Sequence, residues 1–359
     1  MGWPGSRTAR MPLRPDILFL PMVEPANSLE QHSADRGTIS DLRHVNVLHL
    51  EPLLLEEMEE WRRELSWDFS PSAALVRQYA GTSSLGGAAL MVNGEVAGYG
   101  YAVIEEPRGI IGDLYVKRQF RLTANGPGYE AELFRSLLDA LATTRNVRRV
   151  ESQLMLSGPA AAVAIRDENR AHGRALRLYE RRLMLRSGAP ELPEAGGDLG
   201  KPGHFRTAGW EDRFLHAASI VIAGAYYMET DSEINEQYRS PAGARRFLGN
   251  IVEFPGCGTF HRESSFLAFD PISGEPAGMV LTSFVAGGIG HISQLCVMPE
   301  ARGMGLGKTL LRMAIAALHE HGARDVSLTV TATNRKAIAI YEKFGFRNMR
   351  AFFAYIWEG

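Results

Sequence analysis

The stretch from His291 to Gly307, H-I-S-Q-L-C-V-M-P-E-A-R-G-M-G-L-G, sets one basic side chain and three glycines between an apolar strand pattern (Ile292, Leu295, Val297) and a helical run from Lys308 to His321. A strand that turns through glycines into a helix leaves the first helical N–H groups without partners, and glycine removes the side chains that would keep an anion from reaching them. The helix dipole adds partial positive charge at the same place, so the chemistry that fits is binding of a phosphate or pyrophosphate. Glycines at such a junction also simply close a tight turn, and the turn alone does not choose between the two readings. The common nucleotide signatures are absent: there is no G-x-x-x-x-G-K followed by Ser or Thr, and no G-x-G-x-x-G in register.

What does fit is R-x-x-G-x-G at Arg302, Gly305 and Gly307, preceded by I-x-x-L-x-V and Pro299. Further on, N-R-K-A-I-A-I-Y-E-K-F-G-F runs from Asn334 to Phe346. Its Asn334 and Tyr341 are seven residues apart, two helical turns, and so share a face. Together and in this order the two motifs resemble the acetyl-coenzyme A loop and the second signature of the GNAT superfamily of N-acetyltransferases, over about 155 residues.

The resemblance implies direct transfer of an acetyl group from acetyl-CoA to a primary amine of a small molecule or peptide, with no metal. It puts the pyrophosphate on the backbone of Arg302, Gly303, Met304, Gly305, Leu306 and Gly307. It pairs the pantetheine arm with the strand edge at Leu295, Cys296 and Val297, and turns the Val297 N–H to the thioester oxygen. Asn334 matches the position that holds the cofactor arm, and as a sequence feature is equally a helix N-cap. Tyr341 takes the place of the phenol that protonates the departing thiolate. His291 stands where histone acetyltransferases of this superfamily carry a glutamate; an imidazole with an ordinary pKa near 6.5 suits a general base at neutral pH, and a solvated histidine at a strand start is the other reading. Cys296, out of phase with Ser293, is expected as a packed small hydrophobe. Glu229, Asp231 and Glu233 fall where the family borders its acceptor, and either suit a cationic substrate or are solvated. An acyl-CoA-binding or regulatory module without turnover is the alternative, and Tyr341 in register speaks for the enzyme.

These residues must be positioned by a scaffold, and the chain shows one twice. Glu95-x-Ala97-Gly98 recurs as Glu275-x-Ala277-Gly278, an offset of 180 residues, and Leu114-x-Val116 recurs as Leu295-x-Val297, an offset of 181. Arg121 then corresponds to Arg302 and Gly126 to Gly307. The fold class expected is α/β (α+β): two tandem GNAT-like domains, each a mixed, mostly antiparallel sheet flanked by helices. The division expected is a partly disordered leader at 1–40, a degenerate copy at 41–187, a linker at 188–202 and the catalytic copy at 203–359.

In the first copy the pattern predicts a short strand over 45–50, a helix over 52–65, a helix over 73–80 after Ser70-Pro71, and a hairpin turning at Asn93-Gly94. A strand over 110–116, a helix over 129–143, a strand over 147–156 and a helix from Pro159 follow. In the second copy the expectation is a helix over 210–225, irregular chain to 258, a hairpin over 265–284, the strand and helix of the glycine loop, a strand over 325–331, a helix over 334–343 and a final strand pair over 347–357. The first copy has Ala124 in place of the first loop glycine, Pro127 at the next helix start, and Asn169 where the tyrosine belongs, so it is expected to be inactive. Its Arg121, Gly126 and Gly128 leave a weakened coenzyme site open.

With 39 basic and 41 acidic residues among 359, no long-range field for nucleic acid or an acidic membrane is expected. Only Cys257 and Cys296 are present, without metal-ligand spacing, which argues against a disulfide framework or a zinc site. No apolar run reaches the length of a membrane span, and the expected location is the cytoplasm.

Overall fold

The Asn93-Gly94 dipeptide folds as its residue types require, with φ of 50° and 81°, and joins β3 (Gly87–Val92) to β4 (Glu95–Glu105). The structure is a computed structural model that describes residues 18–19, 37–121, 128–188, 205–253, 256 and 258–359. The glycine turn of the first copy from 122 to 127, the linker from 189 onward and Cys257 therefore lie outside the described residues.

Two short strands, β1 (Leu18–Phe19) and β2 (Thr38–Asp41), precede helices α1 (Val47–Leu65) and α2 (Ser70–Gly81). After the hairpin come β5 (Arg108–Val116), the single turn α3 (Arg118–Arg121), α4 (Tyr129–Thr143), β6 (Arg149–Leu154), α5 (Pro159–Ala171) and β7 (Arg177–Ser187). The second half runs β8 (Arg206–Gly209), α6 (Leu215–Ala225), α7 (Thr230–Ile234), α8 (Pro241–Glu253), β9 (Thr259–Phe260), β10 (Phe266–Phe269), β11 (Pro276–Ala286), β12 (Ile289–Val297), α9 (Leu306–Glu320), β13 (Asp325–Thr331), α10 (Arg335–Lys343) and β14 (Arg347–Glu358). Among the described residues no helix is long and apolar enough to cross a membrane.

Three expectations need correction. The strand expected over 45–50 is the first turn of α1: Asn46 caps it by accepting from the Leu48 N–H at 2.9 Å, and Leu50, Leu53 and Leu54 are buried at helical spacing. The chain between 225 and 258 is not irregular, since α7 and α8 occupy it. The final strand pair is one strand, β14, long enough to serve both halves.

The recurring E-x-A-G has a packing reason. A Cβ on Gly98 would lie 2.9 Å from the Tyr115 carbonyl oxygen, and one on Gly278 would lie 3.1 Å from the Cys296 oxygen and from a methyl of Leu306. Just beyond, each half carries the same irregularity. β4 and β5 pair Tyr101 with Asp113 and then Ala102 with Ile111, leaving Gly112 as a bulge; β11 and β12 pair Leu281 with Gln294 and then Thr282 with Ile292, leaving Ser293 as a bulge. Each bulged strand then pairs in parallel with its neighbour for four residues, β5 with β6 from Arg108 to Ile111 and β12 with β13 from Ile289 to Ile292, before the two part.

One face of the sheet is covered by α4 in the first half, through Leu133, Phe134, Leu137 and Leu141, and by α9 in the second, through Leu310, Leu311, Ala314 and Ile315. The other face carries α1 and α6.

The halves are not closed units. The sheet runs β2-β3-β4-β5-β6-β14-β7-β13-β12-β11-β10-β8. The last strand of the first half, β7, pairs with β13 and β14 of the second, and β14 lies between β7 and β6. Each half thus lends its final strand to the other.

Candidate active site

The gap where β12 and β13 part is the candidate site. Met298 donates its N–H to the Ala277 oxygen of β11 at 2.8 Å, so by strand alternation Leu295 and Val297 turn their N–H and C=O groups the other way, toward the gap. Cys296 faces the opposite direction, is buried in the α6 cluster, and its thiol is pushed up by that burial. The expected packing role is the one it has.

At the end of β12 the chain turns through Gly303 and Gly305, with φ of 80° and 83°, and Gly305 precedes α9 without a side-chain cap. Left-handed backbone at both places is what glycine supplies cheaply. Arg302, though partly exposed, is tied back to the protein on all three nitrogens. Its Nε donates to the Val297 oxygen at 3.4 Å, one Nη to the Ala225 oxygen at 2.6 Å and the other to Glu229 at 2.9 Å, tying the turn to the end of α6. Met304 is exposed on the turn, Leu306 is buried beneath it, and an added Cβ on Gly307 would meet Val297 only at an ordinary 3.6 Å. Backbone donors, left-handed glycines and an open strand edge suit a pyrophosphate with an extended amide-bearing arm.

A cavity of about 110 Å³ lies in the gap, bordered by Leu295 of β12, Thr331 of β13, and Asn334 and Tyr341. Asn334 caps α10, accepting from the Ala337 N–H at 3.1 Å, and borders the cavity as well. Tyr341 is buried on α10, and its phenol is pushed upward first by burial, then by the charge of Asp231 and by Cys296, with Arg181 opposing. The phenol therefore carries its proton at neutral pH.

His291, expected as the base, is not brought to this cavity. It is 4% exposed, its Nδ1 lies 2.9 Å from the Ser327 hydroxyl, and its ring packs 5.0 Å from Trp67 of the first half. Burial pushes it down to about 4, which suits a neutral packing residue between the halves. The correction comes from the Ser293 bulge, which separates the register of His291 from that of the residues beyond it.

The three acids expected to be either solvated or ready for a cation are engaged. Glu229 holds Arg302, the Tyr179 hydroxyl donates to Glu233 at 2.5 Å, and Asp231 accepts from Arg181 at 2.9 Å and from the Thr331 hydroxyl at 3.0 Å. Sequence reasoning missed Arg181, Tyr226, Tyr238 and Gln294. Tyr226 donates to Gln294, Gln294 donates to the Tyr238 hydroxyl at 2.6 Å, and the two tyrosine rings stack at 4.7 Å over the cavity. No pattern around Arg181 marks it, because its place follows only from the exchange of β7.

In the first half Arg121 repeats the contact of Arg302, donating Nε to the Val116 oxygen at 2.8 Å. Its remaining nitrogens are taken by Glu60 of α1, which is nearly inaccessible. At the tyrosine's place, Asn169 is fully buried and donates to the Ile165 oxygen within its own helix.

A bulged strand that parts from its parallel neighbour, an uncapped helix behind a glycine turn, and a tyrosine in the resulting gap are the features of an acyltransferase fold. Residues 227–346 match the model of the acetyltransferase (GNAT) family, so the second half of the chain carries a match to that family. It is 29% identical over 280 residues to a mycothiol acetyltransferase of Thermobispora bispora, covering 76% of this chain and 83% of that protein. Shorter matches to further mycothiol acetyltransferases, a ribosomal protein bS18-alanine N-acetyltransferase and an N-alpha-acetyltransferase leave the chain spanning 18% to 42% of those relatives' lengths. In fold it is similar to a GCN5-related N-acetyltransferase from Sphaerobacter thermophilus, with TM-score 0.62, 18% identity and coverage of 90% of this chain and 96% of that one. A tandem GNAT protein from the clavulanic acid biosynthesis pathway is also similar, with TM-score 0.50, 19% identity and coverage of 76% and 82%.

Proposed function

We propose that the chain is an acetyl-CoA-dependent N-acetyltransferase that acts on a primary amine of a small molecule or peptide, with its reaction in the second half. The observation that carries this reading is that Tyr341 and Leu295 border one cavity, and that the same strand runs on from Leu295 through Val297 to the glycine turn and the uncapped start of α9. When bound, acetyl-CoA supplies the activated acetyl group. The backbone from Arg302 to Gly307 holds its phosphates, and the edge of β12 orients its arm so that the thioester lies beside Tyr341. The Val297 N–H then favours the carbonyl oxygen as negative charge gathers on it. Tyr341 gives its proton to the departing sulfur, a role that needs the phenol protonated until that moment.

The relatives are named as mycothiol acetyltransferases and as N-alpha-acetyltransferases, so small-molecule and peptide amines both belong in the test. Thiol release from acetyl-CoA is measured with polyamines, aminoglycosides, amino acids, cysteinyl sugars and peptide N-termini, beside Tyr341→Phe. Turnover with one class, reduced about 10²-fold or more in the variant with coenzyme affinity retained, is expected. Tight coenzyme binding without release across the panel would leave a binding module and refute the enzyme.

A further inference from the structure

Acetyl transfer to an amine needs a group to take the proton of the ammonium form, and His291 is outside the cavity. Among the described residues bordering the cavity, Asp231 is the one carboxylate. Both of its side-chain hydrogen bonds, from Arg181 Nη1 and Thr331 Oγ1, fall on Oδ1. Oδ2 is left to accept a proton. The side chains of Arg181 and Asp231 are only 12% and 17% exposed, and the Nε of Arg181 is buried without a partner. Arg181 also reaches Thr331 and Thr329 at 3.1 and 3.4 Å, so it is fixed on the edge of β13. Facing Asp231 are Arg181 from β7, Thr331 from β13, Tyr341 from α10 and Tyr226 from the end of α6, while Glu233 on its own helix is turned away to Tyr179. The charge of Asp231 acts on the phenols of both Tyr341 and Tyr226. A carboxylate and a protonated phenol thus share one small cavity, the arrangement that divides acid from base work.

Resting on the acetyltransferase reading, we propose that Asp231 is the proton acceptor for the incoming amine and that Arg181, delivered by the first half, is the residue that positions it. Oδ2 takes one proton from the ammonium and leaves a neutral amine. The nitrogen lone pair forms the C–N bond to the acetyl carbon, and the C–S bond breaks with its electron pair on sulfur. Tyr341 protonates that sulfur and regains a proton from the nitrogen, which becomes the amide. Asp231 then releases its proton to water, so one proton leaves for each turnover. In this division of labour the first half is part of the active site.

The test compares benzylamine, an ammonium ion at neutral pH, with phenylhydrazine, which is neutral there, at saturating acetyl-CoA. Asp231→Asn is expected to lower kcat/KM for benzylamine by about 10²-fold or more while leaving phenylhydrazine within about threefold. Binding of desulfo-coenzyme A by calorimetry is expected to stay at the wild-type value. Arg181→Ala should lower benzylamine turnover about tenfold and Arg181→Lys should recover part of it, as for a residue acting through another. Equal loss on both acceptors, or no loss on either, would overturn the inference and leave the acetyltransferase reading standing. Asp231→Glu retaining the benzylamine rate where Asn loses it would support it even if the Asn variant melts early. Wild-type release with neither probe would refute the premise that the cavity admits a free primary amine, and no release with any amine of the wider panel would remove the acetyltransferase reading itself.

Discussion

The two halves build the same scaffold around different contents. Each has the glycine that admits a close strand, the one-residue bulge, the four parallel pairs before the strands part, and an arginine whose Nε returns to the strand's last carbonyl. In the second half that arginine braces a glycine turn, and the gap beside it contains Tyr341 and Asp231. In the first, Arg121 is bound on two nitrogens by Glu60 and covered by the Tyr115 ring at 4.9 Å, and Asn169 points back into its own helix. Nearby, Glu57 is fully buried with Tyr99 donating to it at 2.8 Å, and its carboxyl is held well above its ordinary range by burial and by Asp113. The comparison separates what a duplicated backbone dictates, a bulge and a parting of strands, from what only side chains supply.

The largest effect expected comes from separating the halves. Residues 205–359 alone lack β6 and β7, the partners of β14, and are expected to give no cooperative melt by circular dichroism. Co-expression with residues 1–188 should restore one. A cooperative melt from the second half alone would show that the exchanged strands are dispensable.

Next in size is the glycine turn proposed to hold phosphate. Gly305→Glu places a charged side chain and a Cβ at a φ of 83° beside the α9 N-terminus, and should weaken coenzyme A affinity by about tenfold or more in calorimetry. Arg121→Ala in the first half should leave that affinity unchanged. A loss in the second variant would mean that the first half binds coenzyme too.

A smaller effect follows from His291. The folded protein keeps it neutral down to about 4, whereas an unfolded imidazole takes its proton near 6.5. Its contribution is therefore complete above about pH 6.5 and is lost as the pH falls through the folded value, by up to about 3 kcal/mol. The melting temperature of the wild type should fall across that window, and His291→Gln should flatten the fall. An unchanged slope would show that His291 is protonated in the fold.

The smallest effect expected is from Glu229→Gln. The Arg302–Glu229 pair is nearly half exposed on both sides, so its loss should change stability by no more than about 0.5 kcal/mol in urea titrations.

Much of the scaffold was legible because it rests on local chemistry. Asn93-Gly94 specified its turn, Ser70-Pro71 its helix start, and the offset between Leu114 and Leu295 the duplication. The glycine turn and Tyr341 stood out through a resemblance, and Tyr341 borders the same cavity as Leu295 of β12. The misreadings have physical causes. Val45 to Leu50 reads as a strand by composition, but the Asn46 cap and burial of Leu50, Leu53 and Leu54 make it helical. His291 lies at the expected place in sequence, yet the bulge at Ser293 shifts the register between it and the gap. Arg181 was illegible because its neighbours Asp231 and Thr331 are 50 and 150 residues away. Nothing local to β7 says which sheet it joins.

The position of β7 also sets the order in which this protein can be made. Both of its neighbours, β13 and β14, begin at Asp325 and Arg347, so β7 emerges from the ribosome about 140 residues before its first native partner. Until then β6 and β7 are strands with open edges, the kind of surface on which chains pair with the wrong neighbour. Contacts of such long sequence separation are slow to form. The nascent first half therefore has a period of exposure fixed by the rate of translation, and β14 closes both halves at once.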